Sequence, residues 1–349
     1  MTGVELFDYE LPAELVAHYP TERRDASRLL VVDRAGGGLA DCRFDELPSL
    51  LRVGDLLVLN DSRVLPARLY GTKRATGARV EMLLLRPLSK GGPDASKEQE
   101  PVMDGSEPWE VLARPARRLR AGDVLDFEAG LAAHLIEKAD EGRCVVRFVC
   151  EGNFLDVLAC VGTVPLPPYI SRPVEPDDAE RYQTVYARVP GSVAAPTAGL
   201  HFTDELLDEL RASGVRTTFV TLSVGMGTFR PVSCEQIEQH RMHEEAYHVS
   251  EAAAAEVNAA RAEGRRVICV GTTSVRAIES AARQEGAGPA VLAAGRGSTD
   301  IFLYPGGRPF ALTDGILTNF HLPRSTLLML VAAFAGTQKM LAAYHYAIE

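Results

Sequence analysis

What this sequence lacks narrows its identity first. Its six cysteines, Cys42, Cys144, Cys150, Cys160, Cys234 and Cys269, include no C-x-x-C pair. Neither a zinc knuckle nor a disulfide framework is indicated, and a reduced, cytoplasmic chain is expected. The opening residues MTGVELFDYELP carry acids where a signal peptide needs basic and apolar regions. The longest apolar run, Leu327 to Ala335, is about half of a bilayer span, so no membrane is expected to be involved. A basic excess is also missing: the net charge of -10 argues against a protein that coats nucleic acid, while leaving room for a local basic face. No P-loop lysine motif, no G-x-G-x-x-G turn and no internal repeat occur. What remains is 349 residues, 46% hydrophobic and 24% charged, enough for one large domain or two.

The densest polar stretch is Thr313 to Gly336, TDGILTNFHLPRSTLLMLVAAFAG, which brings Asp314, Asn319, His321 and Ser325 within a dozen residues of one another. Pro323 cannot continue a strand, Ser325 suits a helix N-cap, and Gly336 stands where a helix end wants a left-handed residue. The expected order is strand, polar loop, buried helix. In an open α/β sheet the loop outside the carboxyl end of a strand is where ligands sit. A capped turn with mutually satisfied polar groups is the plainer alternative.

Other segments offer similar loops. A strand over Leu56 to Asn60 runs into NDSRVLPARLYG, where Asp61 and Arg63 stand in a turn candidate. PTAGLHFT places Thr197 and His201 before Thr203, which caps a helix from Asp204 to Ala212. A strand over Val215 to Val224 ends in glycines and GTFRPV, where Arg230 suits an anionic group. In HRMHEEAYHV, His240, His243 and Glu244 invite a metal, yet the order is neither H-E-x-x-H nor H-x-x-E-H. Glu251 to Glu263 predicts a helix. Arg266 to Gly271 predicts a buried strand leading through Thr272, Thr273 and Ser274 into a helix, whose start makes a carboxylate or phosphate site. The last strand is expected near Asp300 to Tyr304. Such alternation implies a largely parallel or mixed sheet.

From about Leu65 to Phe154 the texture changes to short alternating runs between Gly-Asp and Glu-Gly turns, the mark of small antiparallel sheets or a barrel. Within it, Ser89 to Pro108 reads as a mobile loop by composition. ARPARRLRAGD then carries Arg114, Arg117, Arg118 and Arg120. This strip suits phosphates, or guards a solvated β edge. Arg23 and Arg24 in PTERRDA add local positive charge, with a solvated face as the alternative.

Taken in order, FDYELP, NDSRVLPARLYG, PTAGLHFT, GTFRPV, MHEEAY, VGTTSVRAIES, TDIFLYPG and TDGILTNFHLPRSTLLML span nearly the whole chain. Together they resemble the S-adenosylmethionine:tRNA ribosyltransferase-isomerase family of queuosine biosynthesis. The resemblance implies a larger α/β domain with a mixed sheet, formed by residues 1–64 and 155–349. It also implies a small antiparallel β-barrel domain inserted over 65–154. It implies transfer of the ribosyl part of S-adenosylmethionine onto 7-aminomethyl-7-deazaguanine at the tRNA wobble position, giving epoxyqueuosine, adenine and methionine. S-adenosylmethionine is then a co-substrate, with no metal or added cofactor, and the protein is expected to act as a monomer.

A sulfonium acidifies neighbouring C–H bonds, so the chemistry asks for a carboxylate or imidazole as base and for an acid at the leaving purine. On this resemblance Asp314, His321, His243 and Glu244 are the expected acid/base groups. Thr272 to Ser274 or Arg230 would hold the methionine carboxylate, with polar support from Asp61, Arg63, Thr197, His201 and Asn319. Arg23, Arg24 and the strip Arg114, Arg117, Arg118 and Arg120 would meet tRNA. The sequence departs from the family pattern at Ser223, where a histidine is usual, in the longer insert around Ser89 to Pro108, and in ending before the family's aromatic C-terminal segment. Two other classes stay open: an S-adenosylmethionine- or nucleotide-binding relative without the transfer reaction, and a metal-dependent hydrolase built on His240, His243 and Glu244.

Overall fold

A computed structural model describes residues 2–88, 105, 107–225, 232–284 and 288–349. At its centre is Leu56–Asn60, LLVLN, a continuous apolar run buried along its whole length. Side chains alternate across a strand, so such a run must be covered on both faces. Leu56 and Val58 pack with Val257 and Ala260 of the helix Glu251–Ala262 and with Val275 and Ile278 of the helix Gly271–Ala281. Leu57 and Leu59 face the other way, onto Phe202, Leu206 and Leu210 beside the helix Asp204–Ala212. Each such side chain contributes roughly 1.5–3 kcal/mol on burial.

The sheet around this strand has six members. Arg216–Leu222 lies parallel on one side, and Val267–Val270 followed by Gly315–Leu317 lie parallel on the other. Beyond Arg216–Leu222, the strands Glu245–Val249 and Gly295–Thr299 continue the sheet antiparallel. The sheet is therefore mixed, and the carboxyl ends of its four parallel strands open onto one edge.

Between Leu56–Asn60 and Arg216–Leu222 the chain builds a closed antiparallel barrel. Round the barrel, Arg143–Val149, Pro108–Arg114, Arg79–Pro87, Arg68–Lys73, Val124–Asp126 and Ala132–Lys138 are neighbours. Leu69, Met82, Leu84, Trp109, Val111 and Val146 fill it, joined by Phe154 and Leu158 from the helix Phe154–Val161. The stretch Ser89 to Pro108 lies mostly outside the described residues.

Two local expectations are corrected. The segment after Asn60 is not a turn: Ser62–Val64 forms a short strand parallel to Val189–Ser192, with Ser192 Oγ 2.8 Å from Ser62 Oγ. Asp300 to Tyr304 is not a strand either. Pairing with Glu245–Val249 stops at Thr299, whose Oγ accepts from the Ile301 N–H at 3.1 Å and turns the chain out of the ladder. The stretch Thr313 to Gly336 does follow the expected order, with the strand Gly315–Leu317, a loop, and the helix Thr326–Ala335 capped by Ser325 Oγ, which accepts from Leu328 N at 3.2 Å. Glu279, fully buried, holds this stretch in place: its carboxylate accepts from the backbone N–H groups of Ala311, Leu312 and Thr313 at 2.8–3.0 Å and from Thr313 Oγ1 at 2.7 Å. Among the described residues no single helix is long and apolar enough to cross a membrane.

Candidate functional site

A cavity of about 540 Å³ opens at the carboxyl ends of the parallel strands. Its floor is Gly271 to Thr273 from the start of one helix and Thr318 to His321 from the loop after the Gly315–Leu317 strand, and Ala194 to Ala198 with His201 close one side. Residues 15–21 and part of the segment 166–182 complete the wall. Few polar groups converge in a mostly apolar lining, as in small-molecule sites generally.

His321 is the most constrained of them. Its backbone carbonyl accepts from Tyr9 Oη at 2.5 Å, and its N–H donates to Tyr344 Oη at 3.0 Å. Its ring nitrogens lie 3.3 Å from Thr318 Oγ1 and from Tyr344 Oη. Desolvation lowers its pKa to about 4, so the ring is neutral at neutral pH and can accept a proton. Burial likewise raises Tyr9, to about 12, and Tyr344, keeping both as neutral hydroxyls.

His201 is neutral for a similar reason. Desolvation lowers its pKa, and a hydrogen bond to the Arg24 backbone opposes that only in part. Asn319 Nδ2 donates to His201 Nε2 at 3.0 Å, and Asn319 Oδ1 is buried with no partner among the described residues. Thr273 Oγ1, on the cavity wall, is also buried without one. The helix Gly271–Ala281 has no side-chain cap, which leaves its first N–H groups for an anion. Gly271 makes the strand-to-helix turn at φ +82°, in the left-handed region, and a Cβ there would sit 3.4 Å from Thr273 Oγ1.

Of the residues expected from sequence, the cavity gathers His321, His201, Asn319, Thr197, Thr272 and Thr273. Ser274 does not join them: it is buried, and its Oγ donates to the Val270 carbonyl at 2.7 Å inside its own helix. Asp61 is a buried structural group, accepting from Thr221 Oγ1 at 2.7 Å and from Arg188 at 2.9 Å. Arg63 is exposed and lines no part of the cavity.

Asp314 stands at the wrong end of its strand. Its N–H bonds the Val267 carbonyl and its carboxylate accepts from the Val267 N–H at 2.9 Å. Val267 begins the strand that ends next to Gly271, so Asp314 lies three residues of strand, on the order of 10 Å, from the loop that enters the cavity. His243 and Glu244 are exposed before the strand Glu245–Val249 and do not line the cavity, and Glu244 accepts from Ser298 Oγ. His240 packs its ring on Phe302, and among the described residues no three His, Cys, Asp or Glu converge as a metal site. Arg230 lies outside the described residues.

The arginines divide. Arg23 is exposed and paired with Asp25 at 3.0 Å. Arg24 turns inward instead, donating to the carbonyls of Glu180, Arg181, Gln183 and Leu200 at 2.9–3.3 Å, and burial lowers its pKa. It fixes the cavity wall and is not a surface cation. Arg114, Arg117, Arg118 and Arg120 are exposed on the barrel, without an ion pair among the described residues.

Sequence reasoning missed Tyr9, Tyr344 and the pair Arg172–Asp178. That pair is bidentate at 2.7 Å, on the cavity wall, with the Arg172 guanidinium 4.4 Å from the exposed Tyr19 ring. Tyr9 stood in a matching motif without a chemical signal of its own.

The family model described as queuosine biosynthesis protein matches residues 4–349. The S-adenosylmethionine:tRNA ribosyltransferase-isomerase of Heliobacterium modesticaldum is 50% identical over 347 residues, covering 99% of this chain and 95% of the relative. That of Desulforamulus reducens is 48% identical over 343 residues, covering 98% and 94%. The crystal structure of the S-adenosylmethionine tRNA ribosyltransferase from Thermotoga maritima superimposes with a TM-score of 0.51 at 34% identity, over 98% of this chain and 94% of that one. Fold and sequence agree, and the chain belongs to the queuosine biosynthesis protein family, the family of the S-adenosylmethionine:tRNA ribosyltransferase-isomerases.

Proposed function

We propose that this protein moves the ribosyl part of S-adenosylmethionine onto 7-aminomethyl-7-deazaguanine at the wobble position of tRNA and isomerises it to epoxyqueuosine, releasing adenine and methionine. The cavity at the sheet's carboxyl edge carries this proposal. Two neutral imidazoles, an amide oxygen without a partner and an uncapped helix start meet there in a chain of this family.

The chemistry assigns roles within that cavity. The sulfonium withdraws electrons from its neighbouring C–H bonds, and neutral His321 removes one proton to leave an ylide, from which adenine departs. The imidazolium so formed is more acidic than that of an ordinary histidine, since burial lowers the ring's pKa to about 4, and it suits return of the proton to the leaving purine. The amine of the acceptor base then attacks the unsaturated sulfonium, and methionine leaves as the sugar closes to the epoxycyclopentane. Thr272, Thr273 and the adjoining N–H groups hold the methionine carboxylate. Asn319, with its Nδ2 committed to His201, offers Oδ1 to a substrate N–H.

S-adenosylmethionine serves as co-substrate without a metal or further cofactor. The chain works as two units, 1–64 with 155–349 around the cavity and 65–154 as the barrel, whose strip Arg114 to Arg120 meets tRNA phosphates together with Arg23. Incubation with S-adenosylmethionine and tRNA carrying 7-aminomethyl-7-deazaguanine, followed by mass analysis of nucleosides and assay of free adenine, tests this. Epoxyqueuosine and adenine are expected in equal amounts, and absence of both from active, folded protein would falsify the proposal.

A further inference from the structure

A second cavity, of about 270 Å³, adjoins the first and shares Ala198, His201, Thr318, Asn319 and Phe320 with it. We propose, resting on the transferase function above, that this smaller cavity receives the acceptor base of the tRNA while the larger one holds S-adenosylmethionine. The His201–Asn319 wall is then where amine and ribosyl group meet.

Size, charge and surface argue for this division. The volume is half that of the larger cavity and suits one bicyclic base rather than a nucleoside carrying a methionine chain. Its described lining includes Arg28 and Arg34 and no carboxylate. Both arginines are exposed, and the Arg34 guanidinium is held 4.3 Å from the Phe334 ring, which keeps it at the mouth for a flanking phosphate.

Phe320 borders both cavities and is 55% exposed, with Tyr344 packed against it edge to face at 4.9 Å. A large apolar ring held from the side offers its open face to a planar group at little ordering cost. A planar base that has left its stack is such a group, and stacking on an aromatic ring changes affinity by about five- to 150-fold. Asn319 lies on the shared wall, and its Oδ1 has no hydrogen-bond partner among the described residues.

The test measures two affinities separately in the full chain. One is the Kd of S-adenosylmethionine by calorimetry. The other is the Kd of an anticodon stem-loop carrying 7-aminomethyl-7-deazaguanine, with a stem-loop abasic at the wobble position as control. Wild-type adenine release is measured first, so that failure of the reaction itself is seen apart from failure of the site assignment. Phe320→Ala is expected to weaken the modified stem-loop at least fivefold, to leave the abasic one unchanged, and to weaken S-adenosylmethionine by a smaller factor than the modified stem-loop. Phe320→Tyr should restore binding, and Arg34→Gln should weaken both stem-loops. Loss of S-adenosylmethionine affinity with stem-loop affinity intact would overturn the assignment by placing the donor's purine in the smaller cavity. Equal loss for the modified and abasic stem-loops, or no loss for either, would overturn it as well.

Discussion

His321 illustrates how burial sets both chemistry and stability. Its folded pKa of about 4 lies below the ordinary histidine value, so between about pH 6.5 and 4 the unfolded chain binds a proton that the folded one does not. The resulting stabilisation is complete above about pH 6.5 and is lost as pH falls towards 4. Thermal midpoints measured across this window at fixed ionic strength should therefore fall on acidification. His321→Asn, which cannot titrate, should flatten part of that fall, while His201 and His240, also shifted down by burial, retain their shares. On turnover, His321→Gln is expected to lower kcat by about 10² or more, as loss of a general base does, with S-adenosylmethionine affinity within threefold. Near-normal turnover would remove His321 from the proton transfer.

At the scale of elements, the helix Gly271–Ala281 serves the site at both ends, holding the neighbouring loop through Glu279 and facing the cavity through Thr273. Glu279 gathers three backbone N–H groups and a hydroxyl ahead of the strand that delivers Asn319 and His321. Glu279→Ala strands those donors in the interior and should cost about 3–5 kcal/mol of unfolding free energy by denaturant titration. An unchanged midpoint would show that the loop finds other acceptors. At the other end of the helix, Thr273→Val, which keeps shape and removes the partnerless hydroxyl, should raise the Kd of S-adenosylmethionine about tenfold. These elements were also the most legible in the sequence. Ser325, Pro323 and Gly336 mark the boundaries of the neighbouring helix Thr326–Ala335 locally, and the Thr203 cap before Asp204–Ala212 is likewise a short-range signal. What was not legible depends on direction and distance. Asp314 and His321 are seven residues apart in sequence, yet a three-residue strand sends them to opposite ends of a sheet. Arg24 looks like its neighbour Arg23 until the fold brings four carbonyls to it. Tyr9 meets His321 across 312 positions, a separation no local pattern encodes.

For the molecule as a whole, the proposed division of labour is between a body that holds the cavity and a barrel whose Arg114, Arg117, Arg118 and Arg120 are exposed without an ion pair among the described residues. Paired replacement Arg117→Glu with Arg118→Glu leaves the barrel core of Leu69, Met82 and Trp109 untouched. It should raise KM for tRNA several-fold and reduce the salt slope of binding by about one unit for each arginine that meets a phosphate. An unchanged slope would move the RNA path off the barrel. The two ends of the chain also converge on one loop, since Tyr9 and Tyr344 grip the same residue, His321, and pack against each other at 5.2 Å. While the helix Thr337–Ile348 is still untranslated, a nascent chain has Tyr9 but not Tyr344 to hold His321. The backbone at His321 is thus held from both sides only when Tyr344 has been made and has folded onto it.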